Sequence, residues 1–339
     1  MAAGTSNRST IYETITHKII AAIEAGPGDP VMPWQRGGVR PVLPTNAATG
    51  QAYRGVNILS LWVTALQRGY DSGEFATLKQ WNGKGAIVRK GEKASPIVFY
   101  RETDKPDDTT GADDETQDRM FVARGYWVFA AEQVEGYQAA SQLPPNPIAR
   151  HAEAERYFAA TNAKVVIGGT QACYRPATDT IHMPDEARFI GSDGRSRAES
   201  WYGILGHEAC HWAGAPNRLA REFGKRFGDD AYCLEEACAE CCAAFLCAKL
   251  GLAVEPHPDH ARYIHHWLDV MKANPRALFA AAAEAQAAVA YLDAYNPTPP
   301  YAPPPKPQRS IDPRQVCRAH LSMCPHSKTL LNATPGDPA

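Results

Sequence analysis

The sequence contains no hydrophobic run long enough to cross a membrane. A membrane helix needs ~18–20 consecutive apolar residues, and the best candidate, Leu278–Leu292, is interrupted by Glu284 and Gln286. The N-terminal segment Met1–Lys18 is polar and lacks the apolar centre of a secretory signal peptide. We therefore expect a cytoplasmic protein that has no membrane partner.

An excess of charge of one sign is also missing. The 339 residues include 35 Lys and Arg against 37 Asp and Glu, which gives a net charge of −2. A chain without excess basic charge does not bind nucleic acid over its whole surface, so any such surface must be local. With 44% hydrophobic and 21% charged residues, the composition excludes a wholly disordered chain, and the length favours two domains over one.

An arrangement of cysteines that would support a disulfide framework is absent. The nine cysteines are an odd number, and five of them crowd one short segment: Cys233, Cys238, Cys241, Cys242 and Cys247. Neighbours this close do not connect distant parts of a fold, so we expect reduced thiols that pack as small apolar residues. Cys238 and Cys241 form a C-x-x-C, but no second pair accompanies it, which makes a metal or redox role the weaker interpretation.

Segments of biased composition divide the chain. Residues 102–119 hold eight acidic residues, two basic ones and almost nothing apolar, so we predict a solvated acidic loop. Proline clusters at 143–147 and 296–308 predict a domain boundary and the end of the folded part. The expected organisation is an N-terminal domain over 8–142, a C-terminal domain over 148–295 and a flexible tail over 296–339.

The expected fold class is α+β in both domains. In the first domain three helical patterns precede the strand patterns, and in the second three short strands between residues 164 and 183 are expected to form a hairpin ahead of several helices. Strands followed by helices are typical of the α+β class.

The clearest motif is the H-E-x-x-H of His207-Glu208-Ala209-Cys210-His211. Positions four apart share one helix face, so the two imidazoles can bind one cation, and Glu208 lies ~100° round the helix, near a water that this cation holds. A divalent metal lowers the pKa of that water towards ~7, and the carboxylate accepts its proton during attack on a carbonyl. Glu208 is therefore the predicted catalytic residue, and His207 and His211 are predicted metal ligands.

The third ligand is expected in the apolar segment Leu234–Ala248, because buried carboxylates need a metal or a charged partner. Glu236 and Glu240 are four residues apart, which suits a ligand followed by an acid that hydrogen-bonds a ligand histidine. Glu235 points ~100° away and is the reserve candidate. The alternative is that these three glutamates form a solvated stripe facing Arg or Lys. A site of two histidines and one carboxylate accepts zinc, the default, or manganese.

Other polar residues near the motif carry weaker predictions. Tyr232 could donate to an oxyanion but is more often a packing residue, and Arg218 and Arg221 fit ordinary surface charge. A histidine-rich group is expected on the surface or at the edge of the core: His257, His260, His265 and His266.

The N-terminal domain carries a local basic cluster. Between Lys79 and Arg101 there are six basic residues and one acid, Glu92, with aromatic residues interleaved or nearby: Trp34, Tyr53, Trp62, Tyr70, Phe75, Trp81, Phe99 and Tyr100. Basic side chains follow phosphates and aromatic faces stack on unpaired bases at ~1–3 kcal/mol per base, which favours single-stranded nucleic acid over duplex. In the alternative, the aromatics fill a small core and the lysines keep an edge strand soluble. The acidic loop opposes binding unless it lies on another face or competes for the same groove.

Segments in both halves resemble the ArdC-type antirestriction proteins of conjugative plasmids. The matching segments include Tyr53-Arg54-Gly55-Val56-Asn57, GAIVRKGEK from Gly85 to Lys93, HEACHWAGAPNRLARE from His207 to Glu222, and EEACAECCAAFL from Glu235 to Leu246. The similarity covers about residues 8–295. Phe75 departs from the family pattern, where tryptophan is expected, and nothing carries over to the acidic loop or the tail.

The resemblance implies a small α+β domain that binds single-stranded DNA and a zincin-like metallopeptidase domain. It implies His207, His211 and Glu236 as ligands, Glu208 as the acid/base and Glu240 beside a ligand histidine. It also implies a protein that shields incoming plasmid DNA from host restriction during conjugation, with a host protein as the candidate peptidase substrate.

The basic cluster and the matching segments together predict the DNA-binding residues: Tyr53, Arg54, Asn57, Trp81, Lys84, Arg89, Lys90 and Lys93. Two alternatives stay open. One is a metallopeptidase with no DNA role, and the other is a DNA-binding protein whose zincin domain is a non-catalytic scaffold.

Overall fold

The computed structural model describes residues 6–25, 30–38, 40–103, 120–139, 147–189, 191, 195–222, 230–254 and 260–296. Contacts divide the chain into an N-terminal unit, Met1–Ala21 with Pro44–Ser141, and a C-terminal unit, Ala22–Leu43 with Gln142–Ala339. Each unit combines helices with a sheet, which confirms the predicted α+β class. Most of the predicted acidic loop and the tail beyond residue 296 lie outside the described residues. No helix in the described ranges is long and apolar enough to span a membrane.

The segment Ala22–Leu43, called the exchanged segment below, packs with the C-terminal unit. The ranges predicted from sequence, 8–142 and 148–295, treat each domain as one continuous stretch and do not anticipate this exchange. Polar contacts hold the segment: Arg40 donates hydrogen bonds of 2.7 and 2.8 Å to the Glu199 carboxylate, and Arg195 donates to the Gln35 carbonyl. Isolated polar residues give no periodic signal, so sequence patterns do not reveal where such a segment packs.

The N-terminal unit is built on a four-stranded sheet. Its strands are β1 (Thr45–Asn46), β2 (Glu74–Ala76), β4 (Ser95–Thr103) and β5 (Met120–Ala130), in the order β1-β2-β5-β4. β1 and β2 are parallel, and the other pairs are antiparallel. A separate antiparallel pair joins β3 (Ile87–Val88) to β6 (Val134–Glu135). The helices are α1 (Ser6–Glu24), whose last turn is counted with the other unit, α2 (Val56–Arg68) and α3 (Leu78–Gly83).

Helix α2 packs on the sheet and protects its β4 edge. The helix ends before Gly69, whose φ of 66° is the left-handed conformation that glycine adopts without strain. The Asn57 side chain donates to the Val98 carbonyl and accepts from the Val98 N–H, both at 2.8 Å. Because β4 is an outer strand, these two bonds replace those that a neighbouring strand would make. Asn57 therefore has a structural role in this fold.

Helix α3 contributes a tryptophan to the core of the N-terminal unit. The helix begins with a capping box formed by Thr77 and Gln80. The Trp81 ring is completely buried beside Ala86, and its Nε1 donates to the Phe129 carbonyl at 2.9 Å. The Trp81 ring is therefore packed inside the protein, and its only hydrogen-bond donor has a partner there.

The C-terminal unit contains a three-stranded sheet of β7 (Lys164–Ile167), β8 (Cys173–Arg175) and β9 (Thr180–Met183). Its order is β7-β9-β8, with β7 parallel and β8 antiparallel to β9. The hairpin expected from sequence is therefore formed by β8 and β9 alone. The first strand passes β8 and pairs in parallel with β9, an arrangement that local patterns do not specify.

The described part of this unit also contains five α-helices: α4 (Pro147–Ala160), α5 (Arg197–Ala213), α6 (Asp230–Leu250), α7 (His260–Ala273) and α8 (Ala277–Asp293). Helix α6 packs against α5 and α8, and every residue from Glu235 to Cys247 is buried. A helix without a solvent-facing side is a core helix. Helix α5 begins with a capping box between Ser196 and Glu199 and carries the H-E-x-x-H motif in its last two turns.

We predict that Glu199 stabilises the C-terminal unit in a pH-dependent way. Burial alone raises the pKa of Glu199, but hydrogen bonds from Arg40, Ser196 and Ala253 outweigh burial and lower the pKa from 4.5 to about 2. A carboxyl with a depressed folded pKa contributes stability above its unfolded pKa and loses it as the pH falls through the folded value. Glu199→Gln should therefore lower the free energy of unfolding by roughly 1–3 kcal/mol at neutral pH. The difference from the wild type should shrink between about pH 4.5 and pH 2.

Urea titrations of the metal-free protein at several pH values measure this difference. The control is Glu153→Gln, whose carboxylate lies 2.6 Å from Arg156 on an exposed helix face and should contribute little. A Glu199→Gln effect that stays constant from neutral to strongly acid pH would contradict the prediction.

Candidate metal centre

Two histidines one turn apart on α5 face a glutamate of α6. The Nε2 atoms of His207 and His211 lie 3.2 Å apart. Glu236 places Oε2 at 3.3 Å from His207 Nε2 and Oε1 at 3.7 Å from His211 Nε2. One ligand atom of each side chain lies within 4.8 Å of the others, and no other such trio of His, Cys, Asp or Glu occurs among the described residues. The fold thus brings together the three residues that were predicted as metal ligands.

The chemistry of this trio fits a divalent metal. Two imidazole nitrogens and one carboxylate form a donor set that leaves a coordination position open for a reactant. The side chains of His207, His211 and Glu236 are only 3%, 12% and 9% exposed. A carboxylate buried beside two imidazoles is costly unless a cation or a proton compensates its charge. Because His211 Nδ1 contacts a different carboxylate, Nε2 is the nitrogen that faces the trio.

Glu235 holds His211 in place and does not join the trio. Its Oε1 lies 3.0 Å from His211 Nδ1, and its two oxygens accept hydrogen bonds of 2.9 and 2.7 Å from Arg221. Burial raises the pKa of Glu235, but the bonds from Arg221 and His211 prevail and lower it, so the carboxylate is ionised. A carboxylate on the second nitrogen of a ligand histidine fixes the orientation of the ring. These contacts favour a positioning role for Glu235 over the reserve role as a ligand.

Glu208 lies next to the trio but outside it. The residue is buried, and its Oε2 accepts a hydrogen bond of 2.7 Å from the backbone N–H of Tyr174. Tyr174 belongs to β8, an outer strand of its sheet, so the carboxylate is linked to a strand edge. A carboxylate in this position can exchange protons with a reactant held at the trio, which is the role predicted for Glu208.

Glu240 lies near His207 but is hydrogen-bonded elsewhere. Its Oε1 is 3.9 Å from His207 Nδ1, which is too long for a hydrogen bond. Its Oε2 accepts a 2.7 Å bond from Gln35, in the exchanged segment. In this geometry the predicted bond from Glu240 to a ligand histidine is not formed. Glu240 instead connects α6 to the exchanged segment.

The side chains of Arg218 and Arg221 are largely enclosed, so the expectation of ordinary surface charge was wrong. Both side chains are only 6% exposed. The Arg218 guanidinium lies 4.1 Å from the centre of the Trp212 ring, pairs with Asp179 and donates to the Tyr174 hydroxyl at 3.1 Å. The loop after α5 is thereby tied to the β8–β9 turn. The sequence did contain a signal for their burial: buried acids near the motif need cationic partners, and these arginines are close to it in sequence.

The remaining candidates are packing or surface residues. The cysteines of α5 and α6 are free and buried, and burial raises the pKa of Cys210 and Cys238, whose sulfurs lie 3.7 Å apart. This agrees with the prediction of reduced core thiols. Tyr232 is half-buried, His265 is exposed and His266 is half-buried. The side chains of His257 and His260 lie outside the described residues.

Residues predicted to bind DNA divide into two groups. Three have structural contacts: Trp81 is buried, Asn57 pairs with Val98, and the Tyr53 hydroxyl donates to the Phe75 carbonyl at 3.2 Å. Five basic side chains are exposed: Arg54, Lys84, Arg89, Lys90 and Lys93. Base stacking on Trp81 is not available in this fold, because no part of the ring reaches the surface. The proposal for DNA binding therefore keeps the basic residues and needs other aromatic rings.

Family comparisons match both units. A family model described as a zincin-like metallopeptidase matches residues 152–284, and the model for the N-terminal domain of anti-restriction factor ArdC matches residues 9–129. The class of the protein is thus an ArdC-type N-terminal domain joined to a zincin-like metallopeptidase domain.

Solved structures extend this similarity to most of the chain. The metal-free crystal structure of the antirestriction protein ArdC from plasmid R388 is 36% identical, has a TM-score of 0.67 and covers 84% of this chain and 97% of its own. The Mn(II)-bound structure of the same protein is 34% identical, with a TM-score of 0.65, and covers 85% and 99%. The chain belongs to the ArdC family of antirestriction proteins.

Two sequence relatives differ in how much of their length is shared. An uncharacterised protein, y4eC, of Sinorhizobium fredii (strain NBRC 101917 / NGR234) is 45% identical over 280 residues, 81% of this chain and 89% of its own length. The DNA primase TraC of Escherichia coli is 32% identical over 301 residues, which is 82% of this chain but only 26% of the primase. The match to a quarter of TraC transfers no primase activity to this chain.

We predict that Arg221 controls metal affinity through His211. Arg221→Gln removes the guanidinium that orients Glu235, and the loss of such an outer partner typically weakens metal binding ~10–100-fold. Isothermal titration with Zn²⁺ and with Mn²⁺ measures the change, and the exposed Arg156 provides the control variant Arg156→Gln. Equal affinities in Arg221→Gln and the wild type would show that this pair does not orient the ligand.

Proposed function

We propose that this chain is an antirestriction protein that holds one divalent metal in its C-terminal unit and binds single-stranded DNA with its N-terminal unit. His207, His211 and Glu236 are the proposed ligands. The observation that supports the metal half is the convergence of ligand atoms from three largely buried side chains, on two helices, within 4.8 Å of one another. The Mn(II)-bound structure of the R388 ArdC protein supports the proposal of a divalent metal. Zinc is the default for two histidines and one carboxylate, and manganese is the alternative.

The proposed chemistry is metal-dependent peptide hydrolysis, with a host protein as the candidate substrate. When bound, the metal supplies Lewis-acid polarisation of a carbonyl and lowers the pKa of water. Glu208 is the group of this chain that would accept a proton at its carboxylate and return it to the leaving amine. Glu235 and Arg221 would keep His211 oriented throughout. A reactant that reaches Glu208 has to share or displace the bond from the Tyr174 N–H.

Replacement of Glu208 should separate metal binding from turnover. Glu208→Gln keeps the size of the side chain and lies outside the trio, so we expect about one metal per chain by elemental analysis, as in the wild type. Cleavage of a fluorescent peptide library should fall by ~10²–10⁴-fold, because a positioned general base contributes that much. His207→Ala is the matched variant that should lose the metal itself. Undiminished cleavage by Glu208→Gln would remove Glu208 from the proposed mechanism.

A non-catalytic scaffold is the second candidate for the C-terminal unit. It is favoured by the hydrogen bond from Tyr174, which already engages the predicted acid/base group. Plasmid transfer into a restricting host distinguishes the two functions. Full protection by Glu208→Gln together with loss of protection by His207→Ala would assign a structural role to the metal.

The DNA half of the proposal is that the N-terminal unit shields an incoming single strand during conjugation, in the cytoplasm. The candidates for phosphate contacts are the exposed basic side chains of Arg54, Lys84, Arg89, Lys90 and Lys93. The N-terminal match to the ArdC domain supports this assignment.

Single-strand binding should therefore weaken with salt. The logarithm of the affinity should fall with the logarithm of the salt concentration, at a slope near −0.7 per phosphate neutralised. Lys90→Gln and Lys93→Gln should each reduce the steepness by up to about 0.7, whereas Lys164→Gln, an exposed lysine of β7 in the other unit, should leave it unchanged. A wild-type protein that does not bind single strands at low salt would favour a metallopeptidase without a DNA role.

A further inference from the structure

Two aromatic rings and an arginine share one face of the β4–β5 hairpin. In the antiparallel register Ile97 pairs with Tyr126, and Phe99 pairs with Arg124. Paired residues lie side by side, and residues two apart in a strand share a face. Phe99, Tyr126 and Arg124 therefore form one patch, called the hairpin patch below. The ring centres of Phe99 and Tyr126 are 6.3 Å apart, at an interplanar angle of 87°.

The two rings of the hairpin patch are open to solvent, unlike most other described rings of the N-terminal unit. Phe99 is 64% exposed and Tyr126 is 39% exposed, whereas Trp62, Phe75 and Trp81 are at most 3% exposed. Single exposed apolar residues are common and need no explanation. Two contacting rings beside an exposed guanidinium form a surface with a defined chemistry.

Packing on the other sides holds the hairpin patch in position. Val98 and Gly125, which pair with each other, lie on the opposite face by alternation. Ile11 of α1 covers that face so closely that a Cβ on Gly125 would lie 3.1 Å from the Ile11 Cδ1. Asn57 of α2 occupies the strand edge through its two bonds to Val98. With α1 packed against Gly125 and the strand edge occupied by Asn57, the rings stand on a supported strand pair, and ordering them on binding costs little.

The chemistry of the hairpin patch suits unpaired bases. Every base offers a planar face to an aromatic ring, and an arginine adds stacking and a positive charge toward the phosphates. We propose that Phe99, Tyr126 and Arg124 form the surface on which bases of single-stranded DNA stack, an inference that rests on the proposed DNA-binding function. The hairpin patch thus takes the stacking role that the sequence analysis predicted for Trp81. The exposed basic residues between Arg54 and Lys93 then serve the backbone of the same strand.

The test measures oligo(dT) affinity by fluorescence anisotropy at fixed salt, with the full chain. Phe99→Leu and Tyr126→Leu keep an apolar side chain and remove the aromatic face. Each should weaken binding by about 5- to 150-fold, the equivalent of ~1–3 kcal/mol per stacked base. Phe99→Trp keeps an aromatic face and should retain or exceed the wild-type affinity. Arg124→Gln should weaken binding and reduce the steepness of the salt dependence by up to about 0.7.

Trp127 provides a matched control in the same strand. It is 55% exposed, but it is adjacent to Tyr126 and therefore belongs to the opposite face of the hairpin. Trp127→Leu should leave the affinity within twofold of the wild type. As a measurement that needs no variant, photocrosslinking of wild-type protein to an oligonucleotide with 5-iododeoxyuridine should label peptides that contain Phe99 or Tyr126.

The outcomes separate this inference from the function on which it rests. If the wild type binds no single-stranded DNA, the DNA half of the proposed function fails. If the wild type binds but both leucine variants bind equally well, and the crosslink lies elsewhere, the hairpin patch is not the stacking surface. Equal DNA affinity combined with a loss of self-association in the leucine variants would make the patch an interface between two copies of the chain, which also overturns the inference.

Discussion

Three carboxylates buried on one apolar helix impose the constraint on which the C-terminal unit depends. Glu235, Glu236 and Glu240 are each at most 7% exposed on α6, and a buried carboxylate is stable only beside a cation or hydrogen-bond donors. The partners come from three separate places: the loop after α5, the histidine pair of α5 and the exchanged segment. The three buried carboxylates of α6 therefore determine how α5, the loop after α5 and the exchanged segment pack against α6.

Elements that carry a strong pattern of their own were predictable from the sequence. Helix Arg197–Ala213 and strand Met120–Ala130 begin and end where apolar periodicity, capping residues and β-branched composition place them. Strands β1 and β6 have two residues each, and such short pairings are specified only by a partner distant in sequence. The position of β7 beside β9 and the packing of the exchanged segment are likewise long-range choices. Local patterns cannot encode them.

The same contrast between local patterns and long-range packing explains which residues of the candidate site could be predicted. Helical spacing placed His207 and His211 on one face, and the need of buried acids for a partner pointed to Glu236 on the next helix, because both rules are local or compositional. The burial of Arg221 and the bond from Gln35 to Glu240 depend on how distant loops pack, so no spacing rule predicted them. Aromatic composition also treated Trp81 and Phe99 alike, although strand register and packing leave one buried and the other exposed.

The loop after α5 orients both chemical groups of the candidate site through two arginines three residues apart. Arg221 reaches α6 and pairs with Glu235, which contacts Nδ1 of His211, a proposed ligand. Arg218 reaches the β8–β9 turn and holds the Tyr174 side chain, whose backbone N–H engages Glu208. A shift of this loop would therefore move His211, a proposed ligand, and Glu208, the proposed acid/base group, together. Because the contacts of the two arginines run through Glu235 and Tyr174, their roles follow from packing and charge pairing and lie beyond the reach of the H-E-x-x-H motif.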